Sequence, residues 1–242
     1  MRKYGLLGKS LAHSFSKTFF ERYFVQNSIN AIFENKEIAS IEQFSSILKD
    51  DFSGLTVTIP YKETIIPFLD EITSEAKEIG AVNVIQFKDG KRIGHNSDAY
   101  GFQQSIKPFL TNLHERALIL GTGGASKAVA HVFKSIGIDV IFCSRNPSGP
   151  KEFSYDLLNE HMVNACKVII NCTPIGTFPN VDESIEFPFQ FLTKDHLVVD
   201  LIYNPAKTKF LQKAEEVGAT ILNGESMLKE QALKAWEIWN EQ

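Results

Sequence analysis

Apolar positions along the chain fall into short runs and helical stripes that alternate with polar turns, the pattern of an α/β protein. Residues 3–8 read as a first strand running into an amphipathic helix that starts near Ser16. A second strand is expected over 31–38 and a helix over 41–49. Residues 55–62, LTVTIPYK, alternate like a strand and stop at Pro60. Proline suits the first turn of a helix, so Lys62 is expected in such a turn at the end of the sheet. Residues 80–84 lead into a strand whose partner returns at 91–95 after the Asp89-Gly90 turn, which brings Asn83 and Asp98 near one another. Asp98 then opens a helix limited by Pro108.

From about residue 100 the pattern becomes regular. Strands near 117–120, 139–143, 167–171 and 197–200 are separated by helices, as a right-handed parallel sheet requires. The first of those helices carries apolar residues at 128, 129, 132, 133 and 136 and is closed by Gly137. Two domains follow: a smaller α/β domain over 1–99 and a doubly wound, Rossmann-like parallel-sheet domain over 100–222. Beyond them, Leu228, Ala232, Ala235 and Trp239 form the apolar stripe of a last helix starting at Glu225.

Composition narrows the function classes. With 242 residues, 43% apolar and 22% charged, the chain can bury a substantial core. No apolar run approaches the ~20 residues of a membrane span, and Lys9 interrupts any signal-peptide core, so a cytoplasmic chain is expected without a membrane association. Three cysteines outside CxxC spacing indicate neither a disulfide framework nor a zinc site. A net charge of -4 without a basic block argues against nucleic acid as a partner.

Several stretches carry candidate chemistry. In ALILGTGGAS, residues 117–126, a strand breaks into a glycine turn and a helix, with Gly121, Gly123 and Ser126 at the places a dinucleotide-binding turn needs small residues. The exposed helix N-terminus would face the pyrophosphate; the other reading is a glycine turn without ligand. The next strand ends in Ser144, Arg145 and Asn146, where an NAD-binding domain usually places an acidic residue. An arginine there suits a 2'-phosphate, or is simply a solvated loop residue. Ser14 and Ser16 stand at a helix start, as caps or as donors to a small anion. An ammonium at Lys62, near a positive helix end, is not placed for helix stability, although an ordinary exposed lysine also fits. On its local sequence alone, Asp98 reads first as an N-cap.

Taken in order, SxS at 14 and 16, TxPxK at 58–62, GAVN at 80–83, NSD at 96–98 and GTGGAS at 121–126 resemble the shikimate dehydrogenase family. NCTPIG at 171–176, DLIYNPAKT at 200–208 and GESMLKEQA at 224–232 continue the match, which spans Ser14 to Gln231. The resemblance implies reversible hydride transfer between NADPH and the ketone of 3-dehydroshikimate, giving shikimate on the route to chorismate and the aromatic amino acids, with no metal. It implies that Ser14, Ser16 and Tyr203 hold the substrate carboxylate, that Thr58, Asn83, Asp98 and Gln231 hold its hydroxyls, and that Lys62 faces the reacting oxygen. Lys62 and Asp98 are then the catalytic pair. Cofactor contacts come from Gly121, Thr122, Gly123, Gly124 and Ala125, from Ser144 and Arg145, and from Leu201 and Gly224. The last helix is expected to cross back onto the substrate domain, carrying Gln231, and the assembly to be a monomer or homodimer.

The chain departs from the family at several positions. Lys17 replaces a usual proline, Thr56 a usual asparagine, and Val84 and Ser97 usual threonines. The loop 144–149 lacks a second basic residue, for which Lys151 stands close enough in sequence to substitute. A quinate dehydrogenase using NAD and a non-catalytic nucleotide-responsive module are the other readings; intact Lys62 and Asp98 argue against the second, because a sensor needs no proton donor.

Overall fold

The computed structural model describes residues 1–12 and 14–241, which form two compact units, Met1–Gly101 with Leu228–Gln242 and Phe102–Met227. In the first unit the strands are β1 (Arg2–Gly8), β2 (Ala31–Glu37), β3 (Gly54–Val57), β4 (Glu71–Ile72), β5 (Val84–Lys88) and β6 (Lys91–His95), in the order β2-β1-β3-β5-β6-β4. β1 pairs in parallel with β2 and β3, whereas β5 runs antiparallel to both β3 and β6. The β5–β6 hairpin closes through Asp89 and Gly90, both at positive φ (53° and 75°), as the sequence predicts for an Asp-Gly turn. Helices α1 (Phe15–Gln26), α2 (Phe44–Ile47) and α3 (Ser74–Ile79) accompany these strands, and α4 (Asp98–Ile106) carries the chain from this unit into the second.

Two expectations for this unit fail. The helix expected over 41–49 is one α-helical turn between two 3-10 turns, Ile41–Gln43 and Leu48–Asp50. Its apolar residues Ile41, Phe44 and Ile47 are spaced by three, which suits the 3-10 repeat better than 3.6. Nor does Pro60 open a helix with Lys62 in its first turn. Residues 58–65 make turns, and only Ile66–Phe68 forms a 3-10 turn. Cross-links decide this: the Tyr61 hydroxyl donates to the Ile38 carbonyl at 2.7 Å, and the Lys62 carbonyl accepts from the Val82 N–H at 2.7 Å. The stretch keeps only local turn bonds, Tyr61 N–H to the Thr58 carbonyl and Ile65 N–H to the Tyr61 carbonyl, both at 2.9 Å. Lys62 therefore sits in a turn and not in the first turn of a helix.

In the second unit β7 (Arg116–Leu120), β8 (Asp139–Cys143), β9 (Glu152–Phe153), β10 (Val168–Asn171), β11 (Leu197–Asp200) and β12 (Thr220–Leu222) form a wholly parallel sheet in the order β12-β11-β10-β7-β8-β9. The chain leaves β7 toward β9 and returns to β10 on the other side, so the strand order reverses between β7 and β10. Ligands of open parallel sheets bind outside the carboxyl ends of the strands at that switch. Helices α5 (Gly124–Ser135), α6 (Glu160–Ala165) and α7 (Lys209–Glu216) join the strands. The stripe of α5 buries Ala128, Val129, Val132 and Phe133, but Ile136 is 42% exposed, because the helix ends at Ser135 and Ile136 leaves helical geometry before Gly137 at φ 81°.

The last helix, α8 (Glu225–Asn240), carries Ala232, Ala235 and Trp239 into the core of the first unit. The Trp239 indole stacks on Tyr4 at 4.8 Å between centroids and donates from Nε1 to the Ile85 carbonyl at 3.1 Å. Gly54 faces that ring so closely that any Cβ would enter it. Among the described residues no helix is long and apolar enough to cross a membrane, and no cluster of metal-ligating side chains occurs.

Candidate active site

Topology gathers the substrate candidates of the first unit at one sheet edge. Because β1 and β3 run parallel, with Leu7 beside Val57, the residues after them emerge together, and the Thr58 N–H donates to the Leu7 carbonyl at 2.9 Å. Antiparallel β5 starts at that edge and β6 ends there, Val84 opposite His95, which places Asn83 and the 96–98 stretch beside Thr58. There the Lys62 ammonium meets the Asp98 carboxylate at 2.6 Å, with side chains 15% and 7% exposed. Taking two charges this far out of water is a poor source of stability, since the desolvation penalty can match the attraction. Asp98 does not cap α4. The Asn96 side chain accepts from the Ala99 N–H at 3.1 Å, which leaves the Asp98 carboxylate to the ammonium.

Asn83 and Gln231 join this pair through Ser97. The Ser97 N–H donates to Asn83 Oδ1 at 2.7 Å and Asn83 Nδ2 donates to Ser97 Oγ at 3.0 Å, so the amide is locked in one orientation. The Ser97 hydroxyl donates to Gln231 Oε1 at 3.4 Å, and Gln231 is buried rather than a surface glutamine. Ser14 caps α1, its Oγ accepting from the Lys17 N–H at 3.4 Å. Ser16 lies in the first turn, so α1 begins earlier than its sequence pattern suggests. Lys17 occupies the third helical position, where its N–H meets the Ser14 cap.

The second unit holds the cofactor candidates at the carboxyl ends of its strands. Gly121 sits at φ 101° and donates its N–H to the Cys143 carbonyl at 2.8 Å, a left-handed position that favours glycine. Gly123 caps α5, with Thr122 before it and Gly124 and Ala125 in the first turn, and a Cβ built on Gly123 would meet open space. Ser126 is wholly buried and donates to the Gly123 carbonyl at 2.6 Å, so it packs the turn from below. An open helix start with free N–H groups fits a pyrophosphate. Ser144 is nearly buried and its Oγ accepts from the Asn146 N–H at 3.2 Å; Arg145 beside it is exposed. Leu201 donates its N–H to the Asn171 carbonyl at 3.1 Å, and Gly224 presses on the Leu201 carbonyl so tightly that only glycine fits. Tyr203 is half-buried, and burial pushes its phenol up from the ordinary value.

Beneath these residues runs a polar network that reading the sequence missed. Asp200 is wholly buried at the end of β11 and accepts from Asn171 Nδ2 at 3.0 Å, from the Ile202 N–H at 3.1 Å and from the Thr208 hydroxyl at 2.6 Å. Asn171 in turn accepts from the Thr173 N–H and hydroxyl at 2.8 and 2.7 Å. The Thr173 methyl group packs under Gly121. Burial pushes the Asp200 carboxyl up to about 6 against the pull of its three donors. A signal was present: the apolar runs VIIN and VVD each end in a polar residue, and Asn171 and Asp200 are register partners.

Residues 6–85 match the family described as the shikimate dehydrogenase substrate binding domain. Over 98% of its length the chain is 36% identical to the shikimate dehydrogenase (NADP(+)) of Aquifex aeolicus, covering 90% of that protein. The chain belongs to the shikimate dehydrogenase family. The crystal structure of the Aquifex aeolicus shikimate dehydrogenase superimposes with a TM-score of 0.89 at 33% identity, covering 99% of this chain and 92% of that one. The Thermus thermophilus shikimate 5-dehydrogenase, solved in complex with NADP(H) and shikimate, gives 0.88 at 28% identity, with coverages of 99% and 94%.

Two departures from the shikimate dehydrogenase pattern now have a place. Thr56 is buried in β3 and its hydroxyl donates to the Gly5 carbonyl at 3.2 Å, inside the sheet. The Lys151 ammonium pairs at 2.6 Å with Asp139, the first residue of β8, whereas Ser144 and Arg145 follow the last. A five-residue strand separates those ends by about 13 Å at ~3.3 Å per residue.

Proposed function

We propose that this chain catalyses the reversible NADP-dependent reduction of 3-dehydroshikimate to shikimate. The observation that carries the reading is the largely buried Lys62–Asp98 pair at 2.6 Å, in a unit that matches a substrate binding domain. NADPH, when bound, supplies the hydride. The Lys62 ammonium donates a hydrogen bond to the substrate's carbonyl oxygen, stabilises the negative charge that develops there, and passes it a proton. Asp98 aims that ammonium and accepts from a neighbouring substrate hydroxyl, while Thr58, Asn83 and Gln231 hold the others. Ser14, Ser16 and Tyr203 hold the carboxylate. The segment 1–99 with 223–242 acts as the substrate domain and 100–222 as the NADP domain. The open start of α5, Arg145 and Leu201 hold the dinucleotide, together with Gly224 just past residue 222. A cytoplasmic setting and a monomer or homodimer go with this reading.

Purified protein mixed with NADP and shikimate should raise absorbance at the nicotinamide band. No response to that pair, with a response to NAD and quinate, would overturn the assignment.

A further inference from the structure

We propose that the Glu152 carboxylate, folded into the 144–152 loop that carries Arg145, is a specificity-determining group that limits the preference for NADP over NAD. The inference rests on the proposed placement of the 2'-phosphate at Arg145. The loop closes on itself: Ser144 Oγ accepts from the Asn146 N–H, and Glu152 Oε2 accepts from the Ser148 N–H at 2.8 Å and the Ser148 hydroxyl at 3.4 Å. A Cβ on Gly149 would lie 3.1 Å from Glu152 Oε1, so the carboxylate lies directly against the loop backbone. In register Glu152 opposes Phe142, two residues before Ser144, which keeps it beside the end of β8. Lys151 is no counterweight, because its ammonium is on Asp139 at the opposite end of that strand.

The loop thus carries Arg145 and the Glu152 carboxylate, while the ammonium of its other cation, Lys151, is paired with Asp139. A phosphate monoester carries close to two negative charges at neutral pH, so it is attracted by Arg145 and repelled by Glu152. The ribose hydroxyls of NAD carry no charge and feel neither strongly. Glu152→Gln removes the charge yet keeps an oxygen to accept from the Ser148 N–H, so the loop's shape is preserved.

The test compares kcat/KM for NADP and NAD in the wild type, Glu152→Gln, Lys151→Met and Arg145→Ala. Glu152→Gln should raise the NADP-to-NAD ratio by about threefold to tenfold, entirely through the KM for NADP, and the gain should shrink in about 0.5 M salt. Lys151→Met should leave the ratio alone. An unchanged ratio in Glu152→Gln, an equal shift for both cofactors, or a lowered ratio in Lys151→Met would overturn the inference. Arg145→Ala tests the underlying reading separately: if its KM for NADP stays at the wild-type value, the 2'-phosphate is not held in this loop at all. If Arg145→Ala weakens NADP while Glu152→Gln is silent, only the role of Glu152 is lost.

Discussion

Lys62, the proposed proton donor, is held 2.6 Å from the Asp98 carboxylate and is mostly withdrawn from water, which makes it the sharpest single-residue test. Lys62→Ala should lower turnover by about a hundredfold to ten-thousandfold, the usual worth of general acid-base catalysis, with a modest change in the KM for shikimate. Near wild-type turnover in a folded Lys62→Ala protein would assign the proton to another group. The two serines at the start of α1 predict a different kinetic signature. Removing both hydroxyls deletes two hydrogen bonds to a charged group, each worth roughly 1.5 to 3 kcal/mol, so the double alanine variant should lose shikimate affinity and keep NADPH affinity. Calorimetry showing undiminished shikimate binding would move the carboxylate elsewhere. At this scale the local sequence named the candidate residues but was a poor guide to their surroundings. Lys62 was expected against a helix end and instead sits in a turn pinned by Tyr61 and Val82.

Between single residues and the whole chain lie the strand ends, and there Asp200 makes a prediction in pH. Its folded value of about 6 lies above the ordinary 3.8, so between those values the folded protein holds a proton that the unfolded chain has released. Stability should therefore fall as pH rises from about 4 to about 6, by something on the order of 2 to 3 kcal/mol. Asp200→Asn, which still accepts from Ile202 and Asn171, should flatten that part of the curve in thermal melts. If the slope persisted, another group would be titrating. Asp200→Ala should be worse at every pH, because Thr208, Asn171 and the Ile202 N–H would lose a buried partner. The element boundaries show the same division. The β5–β6 hairpin was legible because Asp89 and Gly90 alone dictate its turn, whereas the 41–49 segment follows a spacing of three that a helical reading overlooked.

For the chain as a whole, the joint that matters is the return of α8 to the first unit. Trp239 stacks on Tyr4, faces Gly54 and bonds to Ile85, tying the end of the sequence to three strands near its start. Trp239→Ala should destabilise the protein by about 3 to 5 kcal/mol, measurable as a lowered urea midpoint, since a buried ring cavity cannot collapse against a rigid sheet. An unchanged midpoint would mean that α8 is only loosely held. The period-2 and period-3.6 patterns, the glycine turn at 121–123 and the ordered motifs from Ser14 to Gln231 were set by local sequence, because turn chemistry and burial periodicity act over a few residues. The sequence by itself thus determined the parallel sheet and the family, and it named the candidate site residues. Only the tertiary structure decided which partner each one meets. Asp98 turns to Lys62 because Asn96 takes over the cap, Lys151 turns away to Asp139, and Asp200 joins Asn171 because β10 and β11 lie in register. Such choices depend on distances between segments far apart in the chain, and no local propensity encodes them.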